Sequence, residues 1–222
     1  MSGKYKSILV GARGLTGRLV LQKLLERDEF EKVVVLGRKS CQVHHPKLTE
    51  YITQFNDLDK YTFWPESDVL FCCIGTTMAK AGGKEGFRKV DYDIPVNLAR
   101  YCALFNIEFY LMSSLGADPN SPNFYLKTKG ETEKAVLEAG IPTVKIFRPA
   151  VLLGRRNELR PGEEAGRLFL KLIKPFLKGR LRRYTPINAA AVAEAMIVTF
   201  LSGDKSTQII ENDKILELSK TL

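Results

Sequence analysis

The chain has 222 residues, of which 45% are hydrophobic, and this length and composition predict one compact domain. Its formal net charge is +9, but no nucleic-acid recognition motif accompanies the charge, so we do not expect nucleic acid as a partner. No apolar run reaches the roughly 18 residues that a transmembrane helix needs, so no membrane span is expected.

The start of the chain and its cysteines predict a cytoplasmic protein. Two lysines interrupt the first ten residues, where a signal peptide would need an apolar core. The four cysteines lack the spacing of a disulfide framework, which indicates reduced thiols. Cys41 lies near His44 and His45, but this loop lacks a fourth ligand at zinc-finger spacing. We therefore expect no metal site.

The first predicted strand runs straight into a glycine-rich turn. Ser7 to Val10 is a short apolar run, and residues 18–27 carry apolar side chains at helical spacing. The free amides and the dipole at such a helix start attract an anion. Gly11 permits the tight turn, Gly14 lets a pyrophosphate approach the backbone, and Gly17 brings the helix against the strand.

The second predicted strand favours a dinucleotide site over a turn that is merely rich in glycine. Val33 to Leu36 arrives about 20 residues after the glycines, where a dinucleotide fold places its ribose-binding residue. Arg38 and Lys39 stand there, and no carboxylate does. A carboxylate would bind the ribose hydroxyls of NAD, whereas adjacent cations suit the extra phosphate of NADP. The sequence therefore predicts NADPH as cofactor, with solvated loop charge as the alternative.

The remaining elements alternate between strands and helices, which predicts an α/β, Rossmann-type, doubly wound parallel sheet. We expect a single domain over residues 1–222, of which about 150–222 forms a small C-terminal substrate or lid region. Ligands in such sheets lie at the carboxyl ends of the strands. Further strands are predicted at 50–55, 68–75, 108–112, 144–147 and 208–210. Helices are predicted from a cap at Asp91 to about 102, from about 123 to 139 and from 189 to 201. The segment 78–85 is expected to be a mobile loop.

Three candidate catalytic residues follow from this placement. Ser113 comes directly after the fifth predicted strand, and Tyr125 and Lys129 lie four residues apart on one face of the next helix. A lysine ammonium beside a phenol stabilises the phenolate, which prepares the phenol for general acid–base work. A tyrosine four residues before a lysine is common by chance. The upstream serine and the glycine turn together favour the catalytic interpretation.

These motifs resemble those of the extended and atypical short-chain dehydrogenases/reductases. The chain is more specifically similar to the family of HIV Tat-interactive oxidoreductase-like proteins, from about Ile8 to Pro161. Besides the glycines and the serine, tyrosine and lysine, the matching phrases are Cys72–Thr77, Lys80–Gly82, Glu85–Phe87, Val90-Asp91, Ser113-Ser114, Gly116–Asp118, Lys129–Glu131, Phe147–Pro149 and Val151–Leu153.

The resemblance implies a set of site residues. Ser113 and Tyr125 would polarise a carbonyl, and Lys129 would hold the nicotinamide ribose. The residues implied in NADPH binding, together with the two outer glycines of the turn, are Gly11, Arg13, Gly14, Leu15, Thr16, Gly17, Arg38, Lys39, Ile74, Gly75, Leu152, Arg156 and Arg160.

Three positions depart from the pattern of the related enzymes. Asp91 stands where the broader superfamily often has asparagine, which weakens any asparagine–water proton relay. Gln54 stands where relatives often have aspartate, which leaves adenine contact there open. Arg13 is unusual inside the glycine turn: it lies over the adenine, reaches the 2′-phosphate or points to solvent.

We therefore expect an NADPH-dependent oxidoreductase that reduces a small carbonyl substrate by a Ser-Tyr-Lys mechanism. The alternative is an NADPH-binding regulatory or adaptor protein with little turnover, since the mammalian members of the resembling family are known chiefly for protein interactions. A protein partner is therefore compatible with the sequence.

The region after the sixth strand is rich in cations. Arg156 and Arg160 are expected to clamp the cofactor or an anionic substrate group, whereas Arg155 is expected to serve solubility. The basic stretch from Arg167 to Arg183 is expected to be an ordinary surface helix, interrupted by Pro175. A helix that lies on an anionic membrane or binds an acidic partner is the alternative.

Overall fold

A computed structural model describes residues 4–154 and 183–220. Its strands are β1 Tyr5–Val10, β2 Phe30–Gly37, β3 Leu48–Ile52, β4 Val69–Cys72, β5 Glu108–Met112, β6 Val144–Arg148, β7 Leu152–Leu153, β8 Ile187–Asn188 and β9 Gln208–Glu211. Seven of these form one parallel sheet in the order β3-β2-β1-β4-β5-β6-β9, and β7 pairs separately with β8.

Helices cover both faces of this sheet. They are α1 Leu15–Glu26, α2 Met78–Ala81, α3 Lys84–Arg88, α4 Ile94–Phe105, α5 Phe124–Leu137, α6 Ala189–Leu201 and α7 Asn212–Leu218. A π-helical turn, Lys89–Asp93, joins α3 to α4, and short 3-10 turns occupy Leu58–Lys60 and Trp64–Glu66. Within the described residues no helix combines the length and the hydropathy of a membrane span.

Alternation along the strands divides the core into two layers. Val33 and Val35 face the cluster that contains α1 and α6, whereas Val34 and Leu36 face the cluster that contains α4, α5 and Trp64. Successive side chains of a strand point to opposite faces, so a strand buried on both sides is apolar throughout. The α/β doubly wound parallel sheet predicted from these runs is confirmed, and it is of the Rossmann type.

The direction in which successive strands are added reverses between β1 and β4, and this reversal determines where a ligand crevice is expected. Connections from β1 lead to β2 and β3 on one side, while those from β4 lead to β5 and β6 on the other. In such sheets the crevice lies beyond the carboxyl ends of the strands at this point. The residues that follow β1, β2, β4 and β5 therefore form the candidate site.

Three local expectations are wrong. The segment 78–85, expected as a loop, forms α2 and the start of α3, separated by Gly82 and Gly83 with positive φ angles. The strand expected at 50–55 is instead Leu48–Ile52, because Phe55 adopts a left-handed φ of 66° that no extended strand allows. Asp91 does not cap a helix, because it lies inside the π-helical turn of a helical run from α3 to α4.

The described residues of the C-terminal part form elements that the sequence did not predict. The helix expected at 189–201 is confirmed, but α7 and the pairing of β7 with β8 were not predicted. The described part of the expected substrate region supplies α6 to the layer that packs on α1 and β9 to the sheet edge. A substrate or lid role for residues 150–222 stays a prediction.

Candidate functional site

The glycine turn between β1 and α1 is packed against the end of β4. Gly11 has a φ of 90°, and a Cβ atom there would lie 2.5 Å from the Cys73 carbonyl oxygen. A Cβ atom on Gly17 would lie 2.1 Å from the Gly11 carbonyl oxygen, a separation that real atoms do not tolerate. These two glycines let β1, β4 and the start of α1 approach one another.

The same turn has the properties of a dinucleotide cradle. Gly14 is exposed and caps α1, and its backbone N–H donates to the Gly11 carbonyl at 2.9 Å. The Thr16 hydroxyl is buried and has no hydrogen-bond partner among the described residues. Since buried polar groups are nearly always paired, this hydroxyl fits a site completed by a ligand. Helix N–H groups and a glycine-lined surface suit a pyrophosphate.

The loop after β2 carries the two predicted cations. Arg38 and Lys39 are both exposed, and they follow Gly37 at the carboxyl end of the strand. Glu50 on the neighbouring strand β3 holds the next part of this loop, since it accepts the Cys41 backbone N–H at 2.5 Å. Burial alone would raise the pKa of Glu50, but hydrogen bonds from Ser40 and Cys41 outweigh it and lower that pKa. This anchoring carboxylate is not among the residues predicted from the sequence.

Tyr125 and Lys129 lie on α5, which follows the end of β5 at the edge of the sheet where the parallel strands end, here called the carboxyl edge. Their spacing of four residues predicted that they share one face of this helix. Asn123 caps this helix, because its side chain accepts the Leu126 backbone N–H at 3.2 Å. Tyr125 is 38% exposed, and its ring lies 5.7 Å from that of Phe87 on α3. The phenol is therefore open to solvent and substrate on one side while Phe87 supports its ring on the other.

Lys129 is buried, and it forms an ion pair that the sequence analysis did not anticipate. Its Nζ lies 2.8 Å from Asp91 Oδ1, with side-chain exposures of 9% for Lys129 and 1% for Asp91. Burial by itself lowers the pKa of Lys129, but the attraction of Asp91 outweighs it, so the pKa of Lys129 rises. Asp91 Oδ2 accepts the Thr76 backbone N–H at 2.8 Å, so the pair is also tied to the end of β4.

Pro95 lies four residues after Asp91 and bears on the hydrogen bonding of the Asp91 backbone carbonyl. A proline inside a helix has no N–H for the carbonyl four residues earlier, and its ring crowds that carbonyl. Here that carbonyl belongs to Asp91, and it lies 2.9 Å from the Thr132 hydroxyl of α5 instead. A π-helical turn at this point accommodates the missing bond. The proline is the sequence signal that could have located this turn.

The structure places the Ser113 hydroxyl under α5, away from open solvent. Ser113 is 6% exposed, and its Oγ donates to Glu133. Glu133 in turn accepts from Arg148 Nε at 3.0 Å, and Arg148 also contacts Glu211 at 3.1 Å. Ser114 is half-buried, and its hydroxyl makes a long contact of 3.4 Å with the neighbouring Leu115 carbonyl. Glu133, four residues after Lys129 on the same helix, was missed as a neighbour of the serine.

The other predicted binding residues are spread along the crevice. Ile74 and Gly75 follow β4, and a Cβ atom on Gly75 would lie 3.4 Å from Asp91 Oδ1. Leu152 begins β7, and Gly154 packs against the side chain of Leu15. Arg13 is exposed on the turn. Arg155, Arg156 and Arg160 lie outside the described residues, and so does the basic stretch from Arg167 to Arg183 except for its last residue.

Comparisons with known proteins identify the family. No family model matches the chain. Protein HTATIP2 of Rattus norvegicus is 35% identical over 223 residues, which cover 97% of this chain and 90% of that protein. The chain belongs to the HTATIP2 family. Protein FMP52, mitochondrial, of Meyerozyma guilliermondii is 33% identical over 208 residues and covers 91% of this chain and 88% of its own length.

A solved structure agrees with the fold. The Bordetella bronchiseptica enzyme WbmF in complex with NAD+ matches with a TM-score of 0.69 and 15% identity, over 99% of this chain and 77% of that one. At this identity the likeness shows the Rossmann-type fold. The resemblance to the HIV Tat-interactive oxidoreductase-like family, stated from the sequence, is confirmed by the HTATIP2 match.

The expected location is corrected by the same comparisons. Several fungal members of the family, from Meyerozyma, Eremothecium, Debaryomyces and Aspergillus species, carry the word mitochondrial in their names. The cytoplasmic location expected from the sequence is therefore wrong. The cysteines do conform to expectation as thiols, since all four are free and three are buried, but a buried thiol is compatible with more than one compartment.

Gly17→Ala should destabilise the chain, because the new methyl group would meet the Gly11 carbonyl at 2.1 Å. Overpacking of this kind costs about 1–3 kcal/mol of unfolding free energy, measurable by urea denaturation. Gly14→Ala is the matched control, because its methyl group would lie 3.2 Å from the same oxygen and should cost less. Equal stability of Gly17→Ala and the unmodified chain would contradict the packing described for this turn.

Proposed function

We propose that the chain is an NADPH-dependent oxidoreductase that reduces a small carbonyl substrate. The observation that carries this proposal is the arrangement of Tyr125 and Lys129 on one face of α5, with Lys129 beside the end of β4 and the glycine turn across the crevice. When bound, NADPH supplies the hydride. The chain's own residues bind the cofactor, orient the carbonyl and deliver the proton.

The proposed cofactor contacts run from the glycine turn to the end of β4. The amides of the turn and the Thr16 hydroxyl would bind the pyrophosphate, and Arg38 and Lys39 the 2′-phosphate. Ile74 and Gly75 would lie under the nicotinamide half. Gly75 lies beside the Asp91–Lys129 pair, since a Cβ atom there would lie 3.4 Å from Asp91 Oδ1 and 4.0 Å from Lys129 Nζ. Lys129 would bind the hydroxyls of the nicotinamide ribose.

Tyr125 is the proposed proton donor to the carbonyl oxygen. Its phenol is partly exposed, so it can meet a substrate and recover a proton from solvent after each turnover. A serine hydroxyl would hold the same oxygen by a second hydrogen bond. Ser113 was predicted for this role, but its hydroxyl already donates to Glu133. Ser114, its half-buried neighbour, is therefore a further candidate.

A second candidate function is an NADPH-binding regulatory or adaptor protein with little turnover. The engagement of Ser113 by Glu133 and of Lys129 by Asp91 favours it, because both groups are already bonded within the chain. A panel of aldehydes, ketones and quinones, assayed by NADPH oxidation, separates the two candidates. Turnover of any member supports the reductase, and binding of NADPH without turnover across the panel supports the sensor.

The cofactor preference can be tested at Arg38. Calorimetry should show NADPH binding at least about tenfold more tightly than NADH, because charged phosphate contacts contribute about 1.5–3 kcal/mol. Arg38→Asp should move the preference toward NADH. Arg100→Asp, which makes the same charge change at an exposed position of α4, should leave the preference in place. Equal affinities of the unmodified chain for NADPH and NADH would contradict the assignment of NADPH as the cofactor.

Removal of the Tyr125 hydroxyl tests the proton donor. Tyr125→Phe should lower turnover of the best substrate by about 10²-fold or more and leave the Kd for NADPH nearly unchanged. Lys129→Ala should damage both quantities. Tyr61→Phe, in the aromatic cluster with Phe63 and with Tyr51 of the outer strand β3, is the control and should retain activity. Full activity of Tyr125→Phe would show that another group donates the proton.

Parallel alanine variants separate the roles of the two serines. Ser113→Ala should lower the unfolding free energy by about 1.5–3 kcal/mol, because a hydrogen bond to a buried carboxylate is lost. Ser114→Ala should leave stability nearly unchanged and lower kcat. If Ser113→Ala instead lowered kcat without changing the unfolding free energy, and Ser114→Ala left kcat unchanged, Ser113 would be the serine that contacts the substrate oxygen.

A further inference from the structure

The loop after β2, residues 38–44, carries the two cations proposed to bind the 2′-phosphate. The last backbone contact before it is at Gly37, whose carbonyl accepts the Thr53 backbone N–H at 2.9 Å. Within the part of the chain that the structure describes, residues 38–44 themselves form no hydrogen bond from backbone to backbone. Arg38 and Lys39 are exposed, and neither has an ion-pair partner among the described residues. Side chains must therefore hold this loop.

One carboxylate on β3 supplies most of that support. Glu50 pairs with Val35 of β2 in the sheet and accepts the Cys41 backbone N–H at 2.5 Å. It also accepts hydrogen bonds from the Ser40 hydroxyl and the Cys41 thiol. Burial and Glu50 raise the pKa of Cys41, so the thiol keeps the proton that it donates. Three donors from two adjacent loop residues thus meet at one side chain of the sheet.

The influence of Glu50 extends to the rest of the loop through Ser40. The Gln42 backbone N–H donates to Ser40 Oγ at 3.0 Å, so this hydroxyl accepts from Gln42 while it donates to Glu50. Gln42 has a left-handed φ of 58°, which is uncommon for a residue other than glycine and persists where neighbouring contacts support it. The cations precede this bonded part directly, since Lys39 is the residue before Ser40.

Position and charge give Glu50 opposite effects on a bound phosphate. A loop that is already fixed loses less conformational entropy when a ligand binds, so fixing it strengthens binding. An anion near the phosphate repels it, so the charge of Glu50 by itself weakens binding. Removal of this side chain therefore shows by its sign which of the two effects is larger.

We propose that Glu50 is a positioning residue for cofactor choice. By holding the loop at Ser40 and Cys41, it places Arg38 and Lys39 where a 2′-phosphate binds. The inference rests on the proposed preference for NADPH and deepens it. Glu50 touches neither cofactor nor substrate in this scheme and acts through the loop alone.

The test compares the binding of NADPH and NADH, which differ only in the 2′-phosphate. Calorimetry on the full chain without substrate should give a preference for NADPH of at least about tenfold. Glu50→Ala should reduce this preference by about fivefold or more and leave the Kd for NADH nearly unchanged, because the loop must then be ordered by the phosphate. A preference that stays or rises in Glu50→Ala would overturn the proposal, since loss of the charge alone has that effect.

Glu50→Gln separates the hydrogen-bond acceptor from the charge. Its amide oxygen can still accept the Cys41 backbone N–H, so the preference should stay within about twofold of that of the unmodified chain or exceed it. A loss as large as that of Glu50→Ala would count against the proposed hydrogen bonding and overturn the proposal.

Glu31→Ala is the matched control for removal of a carboxylate. Glu31 lies near the start of β2, at the opposite end of the strand from the loop, and contacts Lys6 at 3.8 Å. Its replacement should leave the preference for NADPH unchanged. A loss equal to that of Glu50→Ala would show a general effect of charge or stability and would overturn the proposal.

Hydrogen exchange tests the loop in the absence of cofactor. The amides of residues 38–44 should exchange about fivefold or more faster in Glu50→Ala than in the unmodified chain, because exchange follows local opening. In Glu50→Gln they should exchange at nearly the unmodified rate. Unchanged exchange in Glu50→Ala would show that Glu50 does not hold the loop.

Ser40→Ala covers the case in which Glu50→Ala fails to fold, because Ser40 is exposed and lies outside the sheet. This variant removes the contact with Gln42 and one donor to Glu50, so it should lower the preference for NADPH by about twofold or more. Where the double variant Ser40→Ala/Glu50→Ala folds, it should lose no more than Glu50→Ala, since both changes act on one network. An unchanged preference in Ser40→Ala would overturn the proposal.

These outcomes separate the role of Glu50 from the proposed function. Equal Kd values of the unmodified chain for NADPH and NADH would overturn both. A preference of about tenfold that survives Glu50→Ala would overturn only the role of Glu50. Turnover of the substrate panel is measured independently of either result.

Discussion

The buried ion pair between Lys129 and Asp91 joins two helices over the end of β4. Burying two charges costs several kcal/mol each, and their attraction offsets this cost only if geometry and further hydrogen bonds are good. Here the Thr76 backbone N–H supplies such a bond to the Asp91 carboxylate. The end of β4, the π-helical turn and the position of α5 are therefore mutually dependent.

A second buried charge cluster ties the carboxyl edge to the C-terminal part of the chain. Arg148 at the end of β6 lies between Glu133 of α5 and Glu211 of β9. The next residue along, Asn212, accepts the Ala150 backbone N–H at 2.9 Å and donates to the Thr185 carbonyl at 2.8 Å. The chain on both sides of residues 155–182 is thus fixed at the mouth of the crevice.

Much of the fold could be predicted from the sequence, because buried parallel strands appear as apolar runs and amphipathic helices as apolar residues at helical spacing. The strand Glu108–Met112 and the helix Ala189–Leu201 have the bounds predicted for them. The glycine pattern also predicted the turn after β1, and the four-residue spacing predicted that Tyr125 and Lys129 share a helix face. The predictions were wrong about the orientation of individual side chains. Asp91 was expected as a helix cap, since a carboxylate before an apolar helix is usually one.

The inward turn of Asp91 depends on information that is not local. It requires the π-helical turn before Pro95, the Thr132 hydroxyl from another helix and the Thr76 backbone N–H after β4. The sequence holds each of these residues, but the sheet order alone brings them together. The same holds for Ser113, whose partner Glu133 lies 20 residues away on the next helix. Predictions of residue type and spacing therefore anticipated the strand ends and the helix that carry these side chains, whereas the charge pairing needed the fold.

The charges of the carboxyl edge are arranged differently on its two sides. On the β1–β2 side, Arg13, Arg38 and Lys39 are exposed cations beside a glycine turn. On the β4–β5 side, the cations Lys129, Arg148 and Arg88 are paired with Asp91, Glu133 and Glu131. An anionic ligand group is therefore favoured on the first side, whereas the second has little net charge to attract one. This asymmetry suits a cofactor whose phosphates lie by the turn and a substrate that is uncharged where it reacts.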